Sequence, residues 1–121
     1  MPEDPIDPTT FADLLETVGG DRGFLRELVE TYMADSPSLI AELRAGVAAD
    51  DAASARRAAH TLKSTSASFG AERLSGLCRQ IEAAAAAGNL VGLDQSVELA
   101  AAEYVRVEVE LRRRARAEET T

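Results

Sequence analysis

His60 is the only histidine in the chain, and the residues around it are those whose types and spacing can do chemistry. On a helix turning about 100° per residue, its neighbours are Arg56, Arg57, Lys63, Ser64 and Ala67. The apolar or small positions Ala55, Ala58, Leu62, Ser66 and Phe69 gather on the opposite side. The imidazole is therefore expected to face solvent. An exposed imidazole is largely neutral at pH 7, since its unperturbed pKa is about 6.5, and a neutral ring is a nucleophile. Arg56, Arg57 and Lys63 put positive charge beside it. Such cations disfavour a second charge on the ring and attract the oxygens of a phosphoryl group in transit. Ser64 and Ala67 are small, which lets another protein surface come close.

Other chemistries fit these residues less well. A metal site lacks a second histidine, and the single cysteine, Cys78, is far along the chain. A hydrolase using His60 as general base would need a nucleophile in an oriented triad. Thr61, Ser64 and Ser66 are near, but helical spacing orients none of them. No glycine-rich phosphate loop is present, so ATP binding is not expected. No acidic cluster surrounds His60 to hold Mg²⁺. Cys78 shares an apolar stripe with Leu74, Leu77 and Ile81 and reads as core. Phe24, Tyr32, Phe69 and Tyr104 read as core too.

The run Ala59-His60-Thr61-Leu62-Lys63-Ser64, followed by Ala67, Phe69, Gly70 and Ala71, resembles the signature of histidine-containing phosphotransfer (HPt) domains. Leu74, Cys78, Glu82 and Gly88 extend the likeness, which covers about residues 55–88. The resemblance implies a four-helix bundle with one or two extra short helices. It implies that His60 accepts a phosphoryl group from a receiver-domain aspartate and passes it to another receiver, with Lys63 as supporting cation. Arg56, Arg57, Ser64, Ala67 and Gly70 would belong to the partner-binding region, Gly70 also ending the helix. Ser64 stands where glycine is commoner. Response-regulator receivers or a hybrid histidine kinase would be the partners, and Mg²⁺ would sit on the receiver, leaving this chain without a cofactor. A helical adaptor that binds or sequesters a receiver or kinase without turnover is the competing reading.

The elements that must position His60 are helical. Ala, Leu, Glu and Arg dominate, all good helix formers, while aromatics are 4%. With 121 residues the chain fits one domain. Residues 1–8, with three prolines, read as an extended lead-in to a domain over 9–117, and 118–121 as a frayed end. Thr9 or Thr10 is expected to cap a short helix bearing Phe11, Leu14, Leu15 and Val18, stopped by Gly19-Gly20. Asp21 caps the next, with Leu25, Leu28, Val29 and Met33 on its face. Ser36-Pro37 reads as the start of a third, carrying Leu39, Ile40, Leu43 and Val47. Asp51 caps the histidine helix, which ends at Gly70, and the next runs from about Ala71 to Gly88-Asn89. The last begins near Val91 or Leu93 and is lined by Val97, Ala100, Ala101, Tyr104, Val105 and Leu111. Short connections then predict an all-α, up-and-down four-helix bundle with one or two short N-terminal helices.

Net charge is −8, which argues against nucleic-acid binding. The run Arg112-Arg113-Arg114-Ala115-Arg116 reads as a solvated helix end. Neither a signal peptide nor a membrane-spanning run is apparent, so a cytoplasmic protein is expected; separately, a monomer is expected.

Overall fold

The structure, a computed structural model, describes residues 4–119, with side chains as far as Arg116. Five helices run in order: α1 Pro8–Thr17, α2 Arg22–Ala48, α3 Ala52–Ser68, α4 Glu72–Ala86 and α5 Leu93–Glu119. Helices α2 to α5 form the four-helix bundle, each packing on two neighbours in the circuit α2–α3–α4–α5, and α1 lies against α2 and α3. No strand occurs among the described residues.

The first cap is Asp7, not Thr9 or Thr10. Its carboxylate accepts the Thr10 amide at 3.2 Å and the Thr10 hydroxyl at 2.6 Å. Pro8 takes the first helical position, where its missing N–H costs nothing and its fixed φ suits the helix. The residues just before it pack against the bundle. Ile6 is fully buried, and the Asp7 amide donates to the Gly70 carbonyl at 2.8 Å. Met1–Glu3 lie outside the described residues.

Two expected helices are one. α2 runs through Pro37 without a break. Proline lacks the N–H that would bond the carbonyl four residues back, at Met33. The Tyr104 hydroxyl of α5 donates to that Met33 oxygen at 3.3 Å, so the freed acceptor is satisfied from a neighbouring helix. Ser36 does not act as a cap; its hydroxyl donates to the Tyr32 carbonyl at 2.7 Å. The inner stripe of α2 is Leu25, Val29, Tyr32, Ser36, Ile40 and Leu43. Phe24 is one residue off that stripe in the first turn and stands 46% exposed, contrary to its expected core place.

The other caps agree with the sequence. Asp21 accepts the Phe24 amide and Asp51 the Ser54 amide, at 3.0 and 3.1 Å. α5 buries Leu93, Val97, Ala100, Tyr104, Val107 and Leu111. Val105 faces solvent instead of the core, because it falls outside the three- and four-residue steps of that stripe. The arginine run is not merely solvated. Arg113 pairs with Glu110 at 2.6 Å, while Arg114, its side chain 17% exposed, binds Glu110 at 2.8 Å and Asp4 at 3.1 Å. Arg114 also lies 5.3 Å from the centre of the Phe11 ring, tying the N-terminal segment to α5. The helix continues through Glu118 and Glu119, where fraying was expected; Thr120 and Thr121 lie outside the described residues.

Candidate functional site

The inner face of α3 is Ala55, Ala58, Ala59, Leu62 and Ser66, all buried. These side chains are mostly small, so α4 packs close along α3. Ser75 of α4 donates to the Lys63 carbonyl at 3.0 Å and pins the pair together. Tyr32 supports α3 from behind. Its hydroxyl and that of Ser66 share a buried hydrogen bond of 2.7 Å, and its ring meets Phe69 at 4.9 Å. Burial pushes the Tyr32 phenol up to about 12, so it stays a neutral structural group.

His60 stands on the outer face, its side chain 62% exposed. One of its nitrogens is engaged. Glu82, reaching across from α4, approaches Nδ1 at 2.6 Å through Oε2. Its other oxygen, Oε1, accepts from Lys63 Nζ at 2.5 Å. A carboxylate can only accept, so Nδ1 carries the hydrogen and the neutral ring keeps its lone pair on Nε2. The Lys63 hydrogen bond, opposed by desolvation and helped by His60, holds the Glu82 carboxyl below its ordinary range.

This geometry corrects the electrostatic expectation from sequence. Cations were expected to border the ring; its immediate charged neighbour is the Glu82 carboxylate, and the Lys63 ammonium sits on that carboxylate. Glu82 entered the sequence reading only as a point of resemblance. Its role was hidden because the two residues are 22 apart and meet only through helix packing.

A hollow of about 540 Å³ opens beside the imidazole, bounded by Ala53, Arg56, Arg57, Thr61 and Glu82. Arg57 donates to Ser54 at 3.2 Å, toward the start of the helix. The arrangement offers a solvent-facing nucleophilic nitrogen, a carboxylate fixing the ring, and guanidinium groups alongside.

A family model for the Hpt domain matches residues 27–116. The chain belongs to the Hpt domain family. The crystal structure of histidine-containing phosphotransfer protein B (HptB) from Pseudomonas aeruginosa PAO1 is similar to it, with a TM-score of 0.87 and 26% identity. That match covers 96% of this chain and 98% of the HptB chain. No curated protein matches. Membership places the chain in phosphotransfer within two-component signalling, as an intermediate rather than an autokinase.

On this Hpt domain, Arg56, Arg57, Ser64 and Ala67 are all exposed on the His60 side of α3. Gly70 is not part of that face. It is buried at φ +83°, and a Cβ there would lie 3.0 Å from the Asp7 carbonyl oxygen and 3.0 Å from Thr10 Cβ. Its place is the turn beneath α1, not a partner surface. The hydrolase alternative loses two nucleophiles, since Ser66 is buried on Tyr32 and Thr61 donates to the Arg57 carbonyl at 3.1 Å. Cys78 is fully buried, and burial pushes its thiol up to about 12. Among the described residues, no three His, Cys, Asp or Glu side chains converge as a metal site, and no helix is long and apolar enough to cross a membrane.

Proposed function

We propose that His60 is the phospho-accepting residue of a phosphorelay carrier working in the cytoplasm between receiver domains, one of which belongs to a response regulator or a hybrid kinase. The observation that carries this reading is the His60–Glu82 contact of 2.6 Å on an otherwise exposed ring. It fixes the hydrogen on Nδ1 and leaves the Nε2 lone pair for attack.

The step follows from that arrangement. Nε2 attacks the phosphorus of a receiver aspartyl phosphate. The N–P bond forms as the P–O bond to the aspartyl oxygen breaks, and the carboxylate stays on the receiver. The ring, still protonated at Nδ1, becomes cationic, and the Glu82 carboxylate stabilises that charge. The reverse step on a second receiver carries the phosphoryl group onward. Phosphoryl transfer needs alignment and charge stabilisation more than covalent help, and the receiver brings the Mg²⁺. Lys63 acts one step removed, by holding Glu82 ionised and in place. Arg56, Arg57, Ser64 and Ala67 form the docking surface around the ring.

The test is transfer from phosphorylated receivers. Wild type takes up acid-labile, alkali-stable label, and His60→Gln takes up none. Equal labelling of the variant by every active donor refutes the assignment. Receiver binding without any phosphohistidine in the wild type returns the adaptor reading.

A further inference from the structure

The sequence puts three cations near His60, but the structure does not leave them equivalent. Lys63 is spent on Glu82 Oε1, at 2.5 Å, and does not border the hollow beside the ring. Arg57 borders the hollow but is drawn toward the Ser54–Asp51 cap, donating to Ser54, whose hydroxyl donates to Asp51 at 2.7 Å. Arg56 also borders the hollow, is exposed, and makes no hydrogen bond or ion pair among the described residues.

His60 itself lines the hollow, on the side of α3 that carries Arg56 and Arg57. Helical side chains lean toward the N-terminus, so the His60 ring covers the turn that carries Arg56 and Arg57. Nδ1 is occupied by Glu82, which leaves Nε2 as the open nitrogen. Ala53 lines this side with a single methyl group and leaves room. Glu82 also borders the space, but each of its oxygens already has a partner. A phosphoryl group arriving there adds negative charge beside that carboxylate, and the cationic side chains that border the hollow are the guanidinium groups of Arg56 and Arg57. A guanidinium also offers two parallel donors, which match two phosphoryl oxygens.

We propose that Arg56 is the cation that receives the phosphoryl group on His60, with Arg57 as a weaker second and Lys63 outside that role. This rests on His60 being the phosphorylated residue. Arg56 touches the transferred group itself; Lys63 is a positioning residue acting through Glu82.

The protein can be charged without a receiver, using phosphoramidate as donor. Nε2 then forms its bond to phosphorus as the P–N bond to departing ammonia breaks, and docking no longer contributes. The readout is a ³¹P NMR titration of the intact phosphorylated protein. Losing a solvent-screened cation near the phosphoryl group raises its last ionisation by roughly half a pH unit. That rise is expected in Arg56→Gln. A smaller one is expected in Arg57→Gln, and almost none in Arg56→Lys, which keeps the charge. A wild-type titration in Arg56→Gln overturns the proposal, as does a larger rise in Arg57→Gln. A protein-bound phosphoryl signal that survives His60→Gln, which leaves the chain without a histidine, instead overturns the assignment of the phosphorylated residue, a distinct result.

Discussion

Replacing Glu82 tests the geometry on which the site depends. Its carboxylate lies 2.6 Å from His60 Nδ1, with the Glu82 side chain 19% exposed and the His60 side chain 62% exposed. Two unit charges at about 4 Å interact by about 1 kcal/mol in water and about 4 kcal/mol in a typical protein surface environment. With one partner so exposed, the stabilisation of the ring cation formed during transfer belongs near the lower end, about 1–2 kcal/mol. That corresponds to roughly 5- to 30-fold in rate. Glu82→Gln keeps an acceptor for Nδ1–H but loses the charge, so its transfer rate should fall within that range. Glu82→Ala loses the acceptor as well and should fall further. Rapid-quench measurement of receiver discharge reads the rates, and ¹⁵N NMR of His60 reads the tautomer. Both variants transferring at the wild-type rate with the wild-type tautomer would refute the reasoning. The same residue sets a pH dependence. The Glu82 carboxyl is held below its ordinary 4.5, chiefly by the Lys63 hydrogen bond. A carboxyl depressed in the folded state contributes stability that is present above its unfolded value and lost as pH falls through the folded one. The stability gap between wild type and Glu82→Gln in urea unfolding should therefore persist at pH 5 and shrink only below about 4.5.

Two further outcomes separate scaffold from site. Gly70→Ala forces a side chain into a left-handed backbone at φ +83° and against Asp7 and Thr10 at 3.0 Å. The conformation alone costs about 1–2 kcal/mol, so urea unfolding should show a total loss of about 2–3 kcal/mol, while the folded fraction still transfers phosphate; a loss under about 1 kcal/mol contradicts the contact. Cys78 is fully buried with its thiol pushed up to about 12. It should resist a thiol-specific disulfide reagent in native buffer and react once denatured, and prompt native reaction would contradict that burial.

Much was legible along the chain because helices write local signals. Asp21 and Asp51 stand before apolar periodicity and cap as expected. Gly70 and Gly88 adopt positive φ at the ends of their helices. The 3.6-residue period separates His60 from Ala55, Ala58, Leu62 and Ser66, and the burial follows that separation. The misreadings came from local signals that another part of the molecule overrides. Ser36-Pro37 has the form of a helix start, yet α2 continues, because Tyr104 from α5 supplies a donor for the carbonyl that proline leaves open. Pro8 shifted the first cap back to Asp7, and contact with Gly70 drew the lead-in against the bundle.

By itself the sequence determined an all-helical chain, the exposure of one histidine, and a motif specific enough to indicate its family. These depend on residue order within one helix, over spacings of three and four. Which charged group meets the ring was decided only by tertiary structure. Glu82 is 22 residues from His60 and 19 from Lys63, and no periodicity links residues on separate helices. The close packing of α3 on α4 brings that carboxylate between them. The carboxylate engages Lys63 and the imidazole through its two oxygens, while Arg56 borders the hollow beside the ring.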